Sequence, residues 1–238
     1  MAPEETDRRQ KLTMRKVLIT GAARGIGYEL CKTALSDGAR VYGSVRTQDD
    51  ADRLQHEFGD DFTPLVFDIR DRKDVAEKLA QIDELDMLIN NAGIIGPDDS
   101  DTVSASTDAF SDVFEINTFA PLQMAQLVLP RLKASDHPAI LSISSQMSWM
   151  GYAKSDHISY RASKAALNKI MQGLATDLAQ HEIPVCVVDP GWVRTDMGGE
   201  DADNDPTDVA KGVWQIAKDL TMSKSGKFIR WTGEERDY

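Results

Sequence analysis

The sequence predicts an α/β protein built as a single doubly wound Rossmann-type domain, with a seven-stranded parallel sheet and helices on both faces. Three observations lead to this fold class. Short apolar runs alternate with amphipathic stretches along the chain, which is typical of βαβ units. A glycine-rich turn follows the first apolar run and opens a helix. The length of 238 residues suits one large α/β domain with a full core.

Seven short apolar runs are predicted to form the strands of the sheet. In chain order they are residues 16–20, 40–45, 63–67, 87–90, 139–143, 184–188 and 227–231. The amphipathic stretches between them are predicted to be helices. These are residues 25–37, 50–57, 73–82, 107–133, 159–180 and 206–220.

Three segments depart from this regular alternation. Pro121 lies inside the fourth predicted helix and lacks a backbone donor, which argues against an unbroken helix there. The acidic stretch 198–205 contains glycine and is predicted to be a mobile loop near a ligand site. Residues 1–14 are polar and charged without the apolar core of a signal peptide. We therefore expect a flexible leader over residues 1–14, with Met14 as an alternative start, and one catalytic domain over residues 15–238.

Composition argues against several classes of partner and site. A formal net charge of −12 disfavours nucleic acid or an anionic membrane, because like charges repel. Cys31 lies in a helical stretch and Cys186 in an apolar run, so both are predicted to be buried thiols. The four histidines are scattered without ligand spacing, and we predict no metal. No segment approaches the length of a membrane span, and we expect a cytoplasmic protein.

The glycine-rich turn reads Thr20-Gly-Ala-Ala-Arg-Gly-Ile-Gly27 and has the spacing G-x-x-x-G-x-G. It opens a helix, whose N-terminus offers unpaired N–H groups and the positive end of its dipole to a pyrophosphate. The alternative is that these glycines only form a tight turn. A position directly after a strand and before a helix favours dinucleotide binding.

Tyr160 and Lys164 are four residues apart in a predicted helix, so their side chains share one face. A buried ammonium beside a phenol favours the phenolate, which makes the tyrosine proton easier to give and to take. With a dinucleotide at the glycine turn, the pair predicts hydride transfer coupled to proton transfer. The alternative is an interface aromatic next to a solvated charge.

The glycine spacing and four further motifs resemble the short-chain dehydrogenase/reductase family over residues 15–235. The motifs follow in the family's order: Asn90-Asn-Ala-Gly93, Ile143-Ser-Ser145, Tyr160-Arg-Ala-Ser-Lys164 and Pro190-Gly-Trp-Val-Arg-Thr195. Residues 160–168 and 189–199 are most similar to the small carbonyl reductases of the C-signal and sniffer type.

This resemblance implies a role for each residue of a proton-transfer site. Tyr160 would be the acid/base, and Lys164 would lower its pKa and hold the nicotinamide ribose. Ser145 would donate a hydrogen bond to the substrate carbonyl oxygen. Asn117 would hold a water that relays the proton through Lys164, although an asparagine there can equally pin a helix.

The resemblance also implies the cofactor contacts. Thr195 and the main chain of Val193 would hold the nicotinamide carboxamide, and Asp68 would contact the adenine unless it only forms a turn. The full set of expected cofactor-binding residues is Gly21, Arg24, Gly25, Ile26, Gly27, Arg46, Asp68, Asn91, Ala92, Gly93, Tyr160, Lys164, Pro190, Gly191, Val193 and Thr195.

One position departs from the family pattern. The family serine often lies thirteen residues before the tyrosine, where this chain has Met147. Matching by the end of the fifth strand selects Ser145 instead, with a loop two residues longer, and insertions in loops cost little. Ser144 and Ser148 remain the competing candidates.

The end of the second predicted strand favours NADP(H) over NAD(H). NAD-preferring Rossmann enzymes place an acidic residue there, and the corresponding position is Val45. Arg46 follows directly and Arg24 lies in the glycine turn, so a 2′-phosphate would meet guanidinium groups. The alternative for Arg24 is that it only neutralises a neighbouring carboxylate. Ser44 is expected to add a hydroxyl contact.

The sequence therefore predicts an NADP(H)-dependent reductase of a small ketone or aldehyde, acting as a homodimer or homotetramer through helices 107–133 and 159–180. Its apolar substrate pocket would be lined by Ile94, Ile95 and residues 146–155 and 198–205. The alternative function is a nucleotide-binding regulatory or signalling protein with little turnover. A nucleotide-sugar epimerase fits less well, because the chain leaves no room for its substrate domain.

Overall fold

The computed structural model describes residues 14–97 and 101–238. Apart from Met14, the expected leader lies outside the described residues. The described residues form eight strands: β1 (Lys16–Ile19), β2 (Arg40–Val45), β3 (Phe62–Val66), β4 (Met87–Asn90), β5 (Ala139–Ile143), β6 (Val185–Asp189), β7 (Phe228–Arg230) and β8 (Glu235–Arg236).

These strands make one sheet in the order β3-β2-β1-β4-β5-β6-β7-β8. The strand order reverses direction between β1 and β4, which are parallel neighbours paired at Val17–Met87. Such a reversal leaves a crevice at the carboxyl ends of the strands, where ligands of doubly wound sheets bind. The predicted Rossmann-type fold is confirmed, and a ligand-binding site is expected in this crevice.

Helices cover both faces of the sheet. They are α1 (Gly25–Ser36), α2 (Gln48–Phe58), α3 (Arg72–Leu79), α4 (Thr107–Phe114), α5 (Ala120–Leu132), α6 (Ile158–Leu178) and α7 (Pro206–Lys218). One core cluster packs α1, α2 and α7 on the sheet through residues such as Leu30, Leu54 and Val213. A second cluster packs α3, α5 and α6 on the opposite face through Val75, Met124 and Leu167.

The prediction of seven strands, all parallel, was one strand short. β8 runs antiparallel to β7, with Phe228 opposite Arg236. The two strands are joined by a tight turn in which Arg230 N–H donates to Glu234 O (2.7 Å) and Gly233 has φ +96°. β8 is a two-residue, charged strand, Glu235–Arg236, so it lacks the apolar run by which strands are recognised in a sequence.

The predicted helix 107–133 is interrupted, as Pro121 suggested. Residues Glu115–Phe119 form a π-helical turn between α4 and α5. Pro121 lies in the first turn of α5, directly after the π-helical turn, so its missing N–H falls at the junction of the two helical segments. The turn carries Asn117, and π-helical turns of this kind often occur at functional sites.

The remaining helix and strand boundaries differ from the predicted ones by a few residues. The helix α2 starts at Gln48 because the Thr47 hydroxyl accepts from Asp50 N–H and caps it. Cys31 and Cys186 are buried free thiols, as predicted. Within residues 14–97 and 101–238, no helix is long and apolar enough to cross a membrane. The same residues contain no group of His, Cys, Asp and Glu side chains able to hold a metal ion.

Candidate active site

The glycine turn lies between β1 and α1, at the carboxyl edge of the sheet. Gly21 and Gly25 have φ of +72° and +56°, a conformation that favours glycine. A Cβ on Gly27 would lie 2.1 Å from the Gly21 carbonyl oxygen, so only glycine lets α1 start this close to the turn.

The start of α1 is suited to an anion. Its N-cap residue, Arg24, makes no capping hydrogen bond with its side chain, and the first turn holds no acidic residue. The first N–H groups therefore have no competing carboxylate, which fits a dinucleotide pyrophosphate. Ile26 follows and packs against the core.

Neighbouring strands brace this turn. Asn91 donates from Nδ2 to the carbonyls of Thr20 (2.9 Å) and Gly21 (3.2 Å), and the Thr20 hydroxyl accepts from Asn91 and Ala92 N–H (both 3.0 Å). The buried Ser44 hydroxyl accepts from Gly21 N–H (3.0 Å), so it holds the turn, a different role from the expected cofactor contact. Thr20 is a site residue that sequence reasoning missed.

No acidic side chain lies at Val45 or Arg46, where β2 ends, as predicted. Val45 is buried and Arg46 is exposed. Arg46 is near two carboxyls, because it contributes to lowering the pKa of both Asp50 and Asp68. Asp68 is held first by Arg70, which donates to it from the side chain (2.7 Å) and from the main chain (3.0 Å). Its turn-forming role is therefore visible in this structure.

Two arginines lie against the glycine turn. Arg53 of α2, which sequence reasoning missed, donates to the Ala23 carbonyl (2.9 Å). Arg24 forms an exposed ion pair with Asp196 (2.6 Å), a residue of the loop after β6. The alternative noted from sequence, that Arg24 neutralises a carboxylate, is thus realised in this structure.

The loop after β6 meets the glycine turn from the other side. A Cβ on Gly25 would lie 3.2 Å from Thr195 Cγ2. Pro190 and Val193 are buried, and Gly191 has φ +71°. The fold therefore brings together two sets of predicted cofactor residues that are well separated in sequence.

Tyr160 and Lys164 are both buried on α6, with exposed fractions of 7% and 4%. Lys164 Nζ donates to the Ile143 carbonyl (2.8 Å) and lies 5.8 Å from the centroid of the Tyr160 ring. Burial lowers the pKa of Lys164 to about 8. The two side chains share one face of the helix, as predicted.

The pKa of Tyr160 moves opposite to the expected direction. Burial raises it to about 12, Asp189 adds to the rise, and only a hydrogen bond from Ser145 acts to lower it. The physical reason is that the protein interior penalises the phenolate, while the Lys164 ammonium is bonded to a carbonyl oxygen. Asp189 is a neighbour of the site that sequence reasoning missed.

The three candidate serines have different hydrogen-bond partners. Ser145 is hydrogen-bonded to Tyr160 and also accepts from Met147 N–H (3.1 Å). Ser144 donates to Asn168 Oδ1 (2.5 Å), and Asn168 Nδ2 donates to Ser148 Oγ (2.8 Å). The buried Asn168 thus engages the two competitors, and Ser145 is the serine that faces the phenol.

Asn117 is fully buried in the π-helical turn. Its Oδ1 accepts from Ile94 N–H (2.9 Å), and its Nδ2 donates to Ile94 O (2.8 Å) and Ser163 Oγ (3.1 Å). A Cβ on Gly93 would lie 3.1 Å from Asn117 Oδ1 and 3.5 Å from Lys164 Nζ, so these three residues are close. The side chain has the pinning role, and any water would be held by the main chain.

Apolar side chains are exposed on the two loops next to this cluster. In the loop before α6 they are Met150, 81% exposed, and Tyr152, whose ring packs edge-on against Trp149 (centroids 4.9 Å apart). In the loop after β6 they are Trp192 and Met197. These side chains support the expected apolar rim of a substrate pocket.

The segment predicted to be a mobile loop is anchored at its far end. Asn204 N–H donates to Trp192 O and Arg194 N–H donates to Asn204 O, both at 2.9 Å. Ala202 is buried, and its carbonyl accepts from Arg194 Nη1 (2.9 Å). Within the predicted loop 198–205, the run of consecutive exposed residues is limited to 199–201.

A cavity of about 490 Å³ lies at the opposite, amino edge of the sheet. It is lined by charged groups of both signs, among them Arg15, Glu84, Asp86 and Arg131. None of the predicted site residues lines it, so the chemistry belongs to the carboxyl edge.

Comparisons with known proteins agree with this geometry. A family model described as short chain dehydrogenase matches residues 15–206. The L-xylulose reductase of Homo sapiens is 35% identical over 190 residues, 79% of this chain and 75% of that protein. The carbonyl reductase Sniffer of D. melanogaster has a TM-score of 0.89 at 28% identity, over 94% of this chain and 100% of its own. An NADPH-bound carbonyl reductase from chicken fatty liver has a TM-score of 0.87 at 29% identity, over 94% and 99%.

Proposed function

The chain belongs to the short-chain dehydrogenase/reductase family of oxidoreductases, and we propose that it reduces a small carbonyl substrate with NADPH. The observation that carries this proposal is the buried cluster of Ser145, Tyr160 and Lys164. A protein that only senses a nucleotide has no need of a buried phenol bonded to a serine hydroxyl beside a buried ammonium.

The residues around the glycine turn fit a dinucleotide. The open N-terminus of α1 and the close approach at Gly27 leave main-chain N–H groups for a pyrophosphate. When bound, the nicotinamide ring supplies the hydride for reduction. The dinucleotide would also be held by residues of the loops after β4 and β6, namely Gly93, Pro190, Gly191, Val193 and Thr195.

Tyr160 is the proposed proton donor. A phenol with a pKa of about 12 is protonated at pH 7, and an alkoxide is a much stronger base, so the proton passes downhill to the substrate oxygen. Ser145 donates a hydrogen bond to the same oxygen and strengthens as negative charge develops there. This protonation state favours the reductive direction.

Lys164 is the proposed source of the proton that restores the Tyr160 phenol after it has protonated the substrate. Its pKa of about 8 lies close to neutrality, so the ammonium can give up a proton and regain it within the working pH range. Asn117 keeps the main chain at Ile94 in place beside it. A water held by the main chain near Asn117 would complete the relay to solvent.

The preference for NADPH rests on the end of β2. No carboxylate repels a 2′-phosphate at Val45, and Arg46 is exposed and available to bind one. The two structural neighbours named above are carbonyl reductases, and one of them is described as NADPH-bound. Asp50 and Asp68 are hydrogen-bonded to Arg53 and Arg70, so neither carboxyl holds Arg46 directly.

The proposal is tested with a panel of ketones and aldehydes, following NADPH oxidation by the parent protein and by Tyr160→Phe. We expect turnover of at least one apolar carbonyl by the parent, and a loss of about three orders of magnitude in the variant, which still binds NADPH. Tyr42→Phe, a partly buried tyrosine in the middle of β2 that packs against the second core cluster, is the matched control and should keep parental turnover.

Two outcomes would contradict the proposal. Near-parental turnover by Tyr160→Phe would remove the tyrosine from the chemistry. NADPH binding without oxidation across the whole panel would instead support the regulatory alternative.

A further inference from the structure

The C-terminal strand sends one side chain into the active-site region. Arg236 of β8 crosses the neighbouring strand β7, with its guanidinium carbon 5.0 Å from the centroid of the Phe228 ring. It ends in an ion pair with Asp189, the last residue of β6. The two side chains are only 12% and 4% exposed, so this is a buried ion pair.

Asp189 also shapes the loop that follows it. Its Oδ1 accepts from Gly191 N–H (2.9 Å), which holds the Pro190–Gly191 turn that is expected to contact the cofactor. A Cβ on Gly191 would lie 2.6 Å from Asn204 Nδ2, so the turn has little room to move. A change at Asp189 is therefore transmitted to this turn.

Asp189 lies on the same face of the sheet as α6. Side chains alternate along a strand, and Val185 and Val187 of β6 pack in one cluster with Leu167 and Met171 of α6. Asp189 follows at the next alternate position, beneath the helix that carries Tyr160. Its carboxylate is close enough to raise the pKa of that phenol.

We propose that Arg236 is a positioning residue of the active site, which neutralises Asp189 beside Tyr160 and fixes the turn at Gly191. This inference rests on the proposed function only in giving Tyr160 a chemical task. Among the residues that the structure describes, the charged groups that act on Tyr160 are Asp189 at the end of β6 and Lys164 of its own helix, whose Nζ lies 5.8 Å from the ring centroid. Asp189 itself is faced by Arg236 and by the Gly191 amide.

The electrostatic role predicts opposite effects from the two halves of the pair. Arg236→Gln leaves an uncompensated buried carboxylate, which raises the pKa of Tyr160 further. Asp189→Asn removes that charge and keeps an acceptor for Gly191 N–H, so the pKa falls. Alcohol oxidation needs the phenolate, and below the pKa its rate changes about tenfold for each unit of pKa.

The first experiment measures oxidation of the alcohol product of the best panel carbonyl with NADP⁺ at pH 9. Arg236→Gln should slow the reaction by about fivefold and Asp189→Asn should accelerate it, with the double variant and Arg236→Lys close to the parent. Losses in both single variants that the double variant does not recover would overturn the proposal, because that pattern reports damage to the fold alone.

A second experiment needs no turnover. Tyrosine labelled with ¹³C at Cζ is followed by NMR during a pH titration, and the Tyr160 signal is assigned by its loss in Tyr160→Phe. Asp189→Asn should bring the pKa of Tyr160 below the parental value, and the double variant should restore it. An unchanged titration in Asp189→Asn would overturn the proposal even if the parent has no reductase activity.

Discussion

At the scale of single residues, burial determines the chemistry of the site. Tyr160 and Lys164 are both inside the protein, and desolvation raises the pKa of one and lowers that of the other. The motif Tyr160-Arg-Ala-Ser-Lys164 alone led to the expectation of a lowered tyrosine pKa. The motif does not show how far the phenol is removed from water, and this burial decides whether the pKa of Tyr160 rises or falls.

The lowered pKa of Lys164 predicts a pH dependence of stability. Its pKa is about 8 in the folded protein and 10.5 for an unperturbed lysine, so between these pH values the unfolded chain binds more protons and stability rises with pH. Relative to Lys164→Met, the parent should gain about 2 kcal/mol in the free energy of unfolding between pH 7 and pH 10. Urea unfolding of both proteins across this range measures the difference, and parallel curves would contradict the assignment.

We expect cofactor preference to depend on a single side chain, that of Arg46. Arg46→Asp places a carboxylate at the end of β2, where it repels a 2′-phosphate and can bind a ribose hydroxyl. We expect the ratio of kcat/KM for NADPH to that for NADH to fall by about tenfold or more. Arg40→Asp, an exposed residue at the opposite end of the same strand, is the control and should leave the ratio unchanged. A higher kcat/KM with NADH in the parent would show that the preference is wrong.

At the scale of elements, the site depends on how α1 and α6 are held against their neighbouring loops. Gly27 lets α1 approach the glycine turn, and Asn168 ties α6 to Ser144 and Ser148 on either side of Ser145. Asn168 lies one turn beyond Lys164 on the same helix, so the helix that carries Tyr160, the proposed acid/base, also fixes the loop that contains Ser145.

Gly27→Ala tests the close approach at the element scale. The added Cβ would meet the Gly21 carbonyl oxygen at 2.1 Å, and because the neighbour is main chain the turn must shift. We expect a loss of about 2 kcal/mol in the free energy of unfolding and about tenfold weaker NADPH binding, measured by urea unfolding and fluorescence titration. Gly173→Ala in α6 meets nothing within 4 Å and should be neutral or stabilising. Equal effects in the two variants would contradict this account.

At the scale of the whole molecule, one sheet brings together loops from distant parts of the chain. The turn after β1, the loop after β4 and the loop after β6 all end at the carboxyl edge, which is why Gly25 and Thr195 are in contact. The helices α4, α5 and α6 flank this edge. The Phe110, Phe114 and Phe119 rings form a row beside them, with successive centroids 6.1 and 6.3 Å apart.

We expect these helices to pair with a second copy of the chain, as the family resemblance implies. Phe119 is 43% exposed at the junction of α4 and α5, so Phe119→Asp should weaken the expected dimer or tetramer. Light scattering at micromolar concentration should report an oligomer for the parent and a smaller species for the variant. Met222→Asp, which changes an exposed apolar residue elsewhere, should leave the parental mass unchanged. A monomeric parent would remove this expectation.

The sequence by itself determined the fold class, the approximate positions of the first seven strands along the chain and the candidate site residues. Apolar periodicity is a local property of the chain. It can therefore be seen in the sequence, where it indicates which strands and helix faces are buried. The glycine spacing and the Tyr160/Lys164 step are local as well, and each motif lies where the sequence predicted, at the end of a strand or on a helix face. Ser145 was selected because it lies two residues after the end of β5, where the strand-anchored family motif places its serine.

Only the tertiary structure decided which of these groups touch. The pairing of Arg24 with Asp196 spans 172 residues and that of Asp189 with Arg236 spans 47, and no local pattern carries such contacts. β8 has no apolar signal, yet it delivers Arg236 to the active-site edge because the sheet places it beside β7. The choice among three serines and the direction of the tyrosine pKa shift follow from burial and hydrogen bonds that form only when β5, β6 and α6 pack together.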